Sequence, residues 1–146
     1  MNKPLTSEEF KNIYSKVPRL TVEVVLKEPG GVVLTLRSIE PKKGWWHIPG
    51  GTVYFKELVE EAVIRVAKEE LGVEVKVDKF LGFIDYKHES DWGWFGRTVG
   101  LAYLVERVSG ELKGSEQGQE VKMFKAQPKK IIEDQGKFLK DVGLLA

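Results

Sequence analysis

One stretch of 25 residues, PGGTVYFKELVEEAVIRVAKEELGV from Pro49 to Val73, constrains the fold more than any other part of the chain. Its apolar residues recur at helical spacing, which predicts an amphipathic helix over residues 56–71. Gly72 follows directly, as glycine often does at the end of a helix. The glycine pair that precedes the helix lets the backbone approach a ligand closely. The stretch therefore predicts a turn, a helix and a ligand held near the turn.

The rest of the chain predicts strands and helices that mix without strict alternation. Its 146 residues suit a single domain over 1–146, in which residues 1–19 form an N-terminal helical arm. A C-terminal helix is expected over 127–143, with an interruption near Gly136. Strands are expected at 19–28, 32–38, 98–112 and 120–126, with a pair of strands at 73–89. This order favours an α/β or α+β fold over a doubly wound sheet.

Composition excludes several classes of protein. Without cysteine the chain has no disulfide, no thiolate metal site and no cysteine nucleophile. The net charge of +1 argues neither for nor against nucleic acid as a partner. The lack of a basic cluster argues against it. Because no apolar run reaches the roughly 20 residues of a membrane span, no membrane association is expected. The N-terminus has no apolar signal-peptide stretch, which predicts a cytoplasmic protein.

Two adjacent carboxylates, Glu69 and Glu70, lie at the C-terminal end of the predicted helix. They repel each other and the negative end of the helix dipole. A hard divalent cation such as Mg²⁺ would offset this repulsion, since it prefers oxygen ligands. Arg65 is placed to orient Glu57 or Glu69 through a charge-assisted hydrogen bond. On helix composition alone, a solvated charged face explains the same pattern.

The same stretch resembles the Nudix box, G-x5-E-x7-R-E-U-x-E-E-x-G-U, where U is a bulky aliphatic residue. Eight of the nine specified positions match if alanine counts as aliphatic: Gly51, Glu57, Arg65, Ala67, Glu69, Glu70, Gly72 and Val73. The departure is Val66, where the box has its first glutamate. The resemblance implies a mixed β-sheet sandwiched between α-helices. It also implies hydrolysis of a nucleoside diphosphate linked to another moiety, with Mg²⁺ as cofactor or Mn²⁺ as a substitute.

Beyond the box, the chain resembles the GDP-mannose mannosyl hydrolase branch of that family. The shared segments are EEFKNIYSKVP, LTLRSIEPKKGWWHIPGG and the Glu116-Gln117 pair before the last strand. That branch also lacks the first glutamate of the box. Its metal is held by a turn glycine carbonyl, the last box glutamate and a distal glutamine, which match Gly50, Glu70 and Gln117. The resemblance also implies a homodimer formed through the N-terminal arm.

The branch's substrate-binding residues match only in part. Its essential arginine on the second strand matches Arg37, and its acidic residue on the first strand matches Glu23. Its general base, a histidine, is replaced by Gly118, and its arginine after the glycine pair is Thr52 here. The chain keeps Glu69, which the branch lacks, as a metal ligand or a base. Attack at the sugar carbon and attack at phosphorus therefore both stay open.

Other candidate residues have a structural and a functional interpretation. One of Trp45 and Trp46 could stack on a base or sugar, or both could pack in the core. The aromatic loop 90–97, with Trp92, Trp94 and Phe95, could be a lid, a partner contact or a small satellite core. His88 could replace the missing general base in substrate binding or catalysis, or lie on the surface.

Three functional hypotheses follow. The first is a Mg²⁺-dependent hydrolase of a nucleotide sugar or a related nucleoside diphosphate. The second is a binding module that senses a nucleotide without turnover, for which Val66 and Gly118 are the best evidence. The third is another nucleoside di- or triphosphate pyrophosphohydrolase, including one that acts on RNA ends. The lack of a basic cluster weakens the RNA version.

Overall fold

A computed structural model describes residues 3–115 and 119–146. Its three α-helices are α1 (Ser7–Tyr14), α2 (Val59–Leu71) and α3 (Glu133–Asp141). Its seven strands are β1 (Arg19–Glu28), β2 (Gly31–Leu36), β3 (Trp46–His47), β4 (Gly50–Thr52), β5 (Glu74–Asp85), β6 (Thr98–Ser109) and β7 (Val121–Phe124). A short 3-10 turn spans Glu89–Trp92. The predicted α+β class is confirmed.

The strands form one mixed sheet around β1. Five strands follow the order β3-β2-β1-β6-β5, while β4 pairs with β1 and β7 pairs with β2. β1 runs parallel to β6 and antiparallel to β2 and β4. Because β1 is covered on both faces, residues 21–26 are all buried. Thr21 and Glu23 are therefore buried together with the apolar residues of that strand.

Helices cover the two faces of the sheet. On one face Val22 and Val24 of β1 pack with Val63 and Leu71 of α2 in one core cluster. On the other face Val25 belongs to a second cluster, which includes residues from and around α3. Because side chains alternate along β1, the strand contributes residues to both core clusters. No helix of the described residues is long and apolar enough to cross a bilayer.

Two helices begin later than predicted. α2 begins at Val59, not at residue 56, because the side chain of Glu61 accepts a hydrogen bond from the Leu58 N–H at 2.8 Å and caps the helix there. α3 begins at Glu133 and continues through Gly136, so the predicted interruption is wrong. Gly136 is needed for packing, because a Cβ there would lie 2.9 Å from both the Gln127 amide nitrogen and an Ile131 methyl carbon.

Residues 73–89 do not form the predicted pair of strands. Instead β5 runs without a turn from Glu74 to Asp85 beside β6. Register shifts interrupt its pairing, and Gly82 has a φ of 139°, which L side chains rarely adopt. Gly82 thus accommodates an irregularity within one strand. At the start of α1, Thr6 and Glu9 exchange hydrogen bonds in a capping box.

Candidate active site

A cavity of about 780 Å³ lies between α1, β1, β4, the end of α2 and loop 89–97. Most of the residues singled out in the sequence line it. They are Glu23, Arg37, Gly50, Gly51, Arg65, Glu69 and Glu70. Gln117, the predicted distal ligand, lies outside the described residues. The structure therefore brings the two glycines of β4 and both carboxylates of α2 to one cavity.

The predicted turn at the two glycines is wrong, because Gly50 and Gly51 lie in β4 and pair with Glu23 and Val22 of β1. Little room is left for a side chain on either glycine. A Cβ on Gly50 would collide with the Oε2 atom of Glu23 and lie 2.9 Å from the Val22 carbonyl oxygen. A Cβ on Gly51 would lie 3.0 Å from a methyl carbon of Val66. Val66 is 1% exposed and belongs to the core beneath α2. The position where the box has a glutamate thus supplies a methyl group under β4.

Arg65 organises the start and the end of α2. Its Nε and Nη2 donate to the two carboxylate oxygens of Glu57 at 2.7 and 3.0 Å. Nη2 also donates to the Thr52 carbonyl at 2.8 Å, and Nη1 donates to Glu69 at 3.2 Å. The guanidinium lies over the Tyr54 ring, 3.8 Å from its centre. Hydrogen bonding to Arg65 lowers the pKa of Glu57. Arg65 was expected to orient Glu57 or Glu69, and its guanidinium hydrogen-bonds to both.

Glu70 is a carboxylate without sufficient positive charge around it. Burial raises its pKa, and the neighbouring charge of Glu69 raises it further. Lys3 is the only cation that acts in the opposite direction on it among the described residues. α2 ends at Leu71, and the cap residue Gly72, with a φ of 69°, donates its N–H to the Lys68 carbonyl. The two carboxylates therefore lie at the negative end of the helix, as predicted.

These donors fit a hard divalent cation. Across residues 3–115 and 119–146, no group of three or more His, Cys, Asp or Glu side chains is arranged to hold a metal. Mg²⁺ does not require such a group, because it binds through one or two carboxylates and keeps several waters. Glu69 and Glu70 supply that number of carboxylates in the cavity that Gly50 also lines. A cation there would stabilise the charged form of Glu70, which burial and Glu69 disfavour.

A buried hydrogen-bond chain joins Glu23 to α3, and sequence reasoning missed it. The Thr21 and Tyr86 hydroxyls both donate to Oε1 of Glu23, at 2.8 and 2.9 Å. Gln135 donates to the Tyr86 hydroxyl at 2.7 Å and accepts from the Ile48 N–H at 2.6 Å. Burial raises the pKa of Glu23 to about 7. These hydrogen bonds connect Glu23 of β1 to the backbone of Ile48, just before β4.

Arg37 faces the cavity from the end of β2. Its Nε donates to the Pro41 carbonyl at 2.7 Å, while its Nη groups have no protein partner among the described residues. Burial and the neighbouring Arg19 lower its pKa. Next to it, burial lowers the pKa of His47 to about 4. The ring is therefore neutral, and its Nδ1–H donates to the Ile48 carbonyl at 2.9 Å.

Two predicted substrate-binding residues are not brought to the cavity. The ring of Trp46 packs edge-on against Phe124, 4.8 Å between ring centres, within the second core cluster. Core packing, the structural interpretation, therefore describes Trp46. His88 is exposed, and its Nδ1 lies 3.0 Å from a carboxylate oxygen of Asp134. Neither side chain is among the described residues that line the cavity.

The aromatic loop does line the cavity, together with α1. Trp92, Trp94 and Phe95 face it from the loop, and Phe10 and Tyr14 face it from α1. Glu89, which is 5% exposed, anchors the loop. Its two carboxylate oxygens accept from the backbone N–H and the hydroxyl of Thr98, at 2.6 and 2.7 Å. The sequence indicated the aromatic loop, but it gave no sign that α1 packs beside it.

Comparison with known proteins gives a consistent family. The sequence model of the NUDIX domain matches residues 17–142. The chain is 31% identical to an ADP-ribose pyrophosphatase from Methanocaldococcus jannaschii over 125 residues, which cover 85% of this chain and 72% of that protein. It is 39% identical to the low-salt glycan biosynthesis protein Agl8 from Haloferax volcanii over 92 residues. That match covers 61% of this chain and 59% of the Agl8 sequence.

Solved structures agree with the sequence matches. The crystal structure of a MutT NUDIX hydrolase from Burkholderia pseudomallei superposes with a TM-score of 0.73 and 26% identity. The superposition covers 86% of this chain and 98% of that structure. The part outside the NUDIX match at the N-terminus, residues 1–16, includes α1.

Proposed function

Because the chain belongs to the Nudix hydrolase family, we propose that it is a Mg²⁺-dependent hydrolase of a nucleoside diphosphate linked to another moiety, with a nucleotide sugar as substrate. The observation that carries the proposal is that Glu69 and Glu70 line the same cavity as Gly50 of β4. Glu69 already pairs with Arg65, whereas burial and the charge of Glu69 disfavour the charged form of Glu70. A divalent cation would stabilise that charge and would also bind a diphosphate. The two names among the relatives, ADP-ribose pyrophosphatase and glycan biosynthesis protein, support a nucleotide-linked sugar.

The metal would be held by the Gly50 carbonyl, Glu70 and Gln117, with Glu69 as a further ligand. When bound, Mg²⁺, or Mn²⁺ in its place, supplies Lewis-acid chemistry at the phosphoryl oxygens. The hydrogen bond of 3.2 Å from Arg65 holds the Glu69 carboxylate in a fixed orientation. If Glu69 is not a ligand, this orientation suits it to accept a proton from the attacking water.

Arg37 is proposed to bind the diphosphate. Its Nη groups, which have no protein partner in residues 3–115 and 119–146, offer donors in a fork that matches phosphate oxygens. The burial of Arg37 in the cavity strengthens that interaction. Glu23 is proposed to contact the sugar. Its Oε1 already accepts from two hydroxyls, so its Oε2, next to Gly50, is the atom available to a substrate hydroxyl.

A binding module without turnover is the second candidate function. The observation that favours it is Val66, whose buried methyl groups stand where the family pattern has a carboxylate. Nucleotide binding would then be retained without hydrolysis. We also keep the cytoplasmic location and the homodimer formed through residues 1–19 as predictions. Light scattering on the purified protein would measure the mass of the assembly.

The products of hydrolysis separate these functions. The protein would be incubated with Mg²⁺ and a panel of GDP-sugars, ADP-sugars, dinucleoside polyphosphates and nucleoside triphosphates. A sugar phosphate with a nucleoside monophosphate would indicate attack at phosphorus, and free sugar with intact nucleoside diphosphate would indicate attack at carbon. No product, together with thermal stabilisation by a nucleotide, would indicate the binding module.

Replacing Glu70 tests the site directly. We expect Glu70→Gln to lower kcat by at least about 100-fold, because it removes a charged ligand of the metal. The fold should persist, since the amide is similar in size. Glu60→Gln is the matched control, because Glu60 is an exposed carboxylate on the same helix and does not line the cavity. Equal kcat values for the two variants would remove Glu70 from the proposed site.

A further inference from the structure

The aromatic side chains of α1 and loop 89–97 form a continuous wall of the cavity, which we call the aromatic wall and define as Phe10, Tyr14, Trp94 and Phe95. Phe10 meets Tyr14 edge-on at 4.8 Å between ring centres and meets Phe95 edge-on at 6.3 Å. Phe95 meets Trp94 at 4.5 Å. All four line the cavity, and all are at least partly exposed.

Arg19 connects this wall to β4, the strand that precedes α2. Its guanidinium carbon lies 5.4 Å from the centre of the Phe10 ring and 5.6 Å from the centre of the Trp94 ring. One Nη donates to the Thr52 hydroxyl at 3.0 Å, and the Thr52 carbonyl accepts from Arg65 at 2.8 Å. A short path of contacts therefore connects the aromatic wall to the side chain that orients Glu69.

The aromatic wall and the carboxylates of α2 suit different parts of one ligand. Glu69, Glu70 and Arg37 offer charges to a metal and a diphosphate, whereas the aromatic wall offers ring faces and edges. Aromatic side chains in proteins stack on nucleobases of every type, because every base has a π face. A phosphate has no such face, and a sugar presents only C–H groups to a ring and no π system. The volume of about 780 Å³ is within the range of sites for ligands of this size.

α1 is outside the matched NUDIX region, and it has no buried residue of its own. Phe10 and Tyr14 are the α1 rings that face the cavity. A helix that buries no residue contributes little to the core, so stability alone does not explain its aromatic residues. Their position beside Trp94 and Phe95 points to a ligand.

We propose that the aromatic wall holds the nucleobase of the substrate, and that α1 therefore contributes to the recognition of nucleotides by this chain. The inference rests on the proposed function, because it assigns a place to one part of the proposed substrate. The diphosphate then extends from the aromatic wall past Arg19 towards Arg37 and the carboxylates of α2.

The test compares a ligand that has a base with one that lacks it. Binding of GDP, UDP and inorganic pyrophosphate would be measured by calorimetry in the presence of Mg²⁺. The variants are Phe10→Ala and Trp94→Ala, with Trp94→Phe as the conservative replacement. Phe83→Ala is the control, because Phe83 is 64% exposed on β5 and is not a cavity-lining residue.

We expect Phe10→Ala and Trp94→Ala to weaken binding of GDP and UDP about tenfold, which is the usual effect of losing one stacked aromatic contact. Pyrophosphate affinity should change less than twofold, and Trp94→Phe should recover most of the loss. For a hydrolysed substrate, KM should rise and kcat should stay the same. Phe10→Ala is expected to fold normally because α1 has no buried residue.

Two outcomes would overturn the inference. Unchanged GDP and UDP affinity in both alanine variants would show that the base lies elsewhere. An equal loss for pyrophosphate would show a general disturbance of the cavity. The proposed function fails separately: a protein that binds GDP through the aromatic wall but hydrolyses no substrate of the panel would be a binding module. The inference about the base would then still hold.

Discussion

At the scale of the single residue, Glu23 carries the most unusual electrostatics of the cavity. It is 4% exposed, and burial raises its pKa to about 7 from the ordinary value of 4.5. Between those two values the folded protein holds a proton that the unfolded chain has released. The free energy of unfolding therefore has a contribution from Glu23 that is fully present below pH 4.5 and is lost as pH rises through 7.

This linkage predicts how Glu23→Gln changes stability. Relative to the unmodified protein, the variant should gain about 3 kcal/mol of unfolding free energy on going from pH 4 to pH 8, since its amide never ionises. Urea unfolding at both pH values, with a chelator present, measures the change. Glu60→Gln, which replaces an exposed carboxylate, is the control and should show no such trend. A stability difference that is independent of pH would contradict the raised pKa.

The residues of the cavity were predictable where the chain itself holds them together. Arg65 reaches Glu69 because the two are four residues apart on one helix, and that spacing is visible in the sequence. Trp46 and His88 could not be placed in the same way. Their chemical types suit a ligand, but the direction of each side chain depends on distant partners, Phe124 and Asp134.

At the scale of elements, α2 was predictable from the local pattern of the chain. The turn expected at the glycine pair was wrong, because its pairing with β1 in β4 depends on distant residues. The contribution of α3 was not predictable either. Gln135 is 87 residues away from Ile48, whose N–H donates to its side chain. A glutamine in a polar helix gives no sequence signal that it will be 5% exposed and joined to Tyr86. The connection exists because the fold places α3 against the segment around Ile48, which precedes β4.

Removing this connection should weaken both the fold and the site. In Gln135→Leu the Ile48 N–H loses its partner, and leaving a buried donor unsatisfied costs about 2 kcal/mol. We also expect kcat/KM to fall, because Ile48 lies two residues before Gly50, the first residue of β4. Urea unfolding and steady-state kinetics measure the two effects. Lys140→Leu serves as the control on an exposed position of α3. Stability equal to that of the control would show that the chain of hydrogen bonds is not structural.

At the scale of the whole molecule, the fold class followed from pattern, while the cavity is a product of the tertiary arrangement. The strand pattern along β1 and the helical periodicity along α2 were sufficient to favour an α/β or α+β class. The mixed sheet between helices was implied by the resemblance to the Nudix box. The aromatic wall required more, because α1 and loop 89–97 are separated by most of the sheet in sequence. Their contact arises because Arg19, at the start of β1, pairs with Thr98, at the start of β6.

The balance of charge in the cavity predicts how the whole protein responds to magnesium. With Glu69 and Glu70 at a helix C-terminus, the folded state should bind Mg²⁺ and the unfolded chain should not. At 100 times the dissociation constant, binding adds about 2.7 kcal/mol to the free energy of unfolding, or roughly 8 °C in Tm for a domain of this size. Differential scanning fluorimetry with MgCl₂ measures the shift against NaCl of equal ionic strength. Glu70→Gln should lose most of the shift, and Glu60→Gln should keep it. A shift that NaCl reproduces, or that survives in Glu70→Gln, would mean that the cation acts by screening and not at these carboxylates.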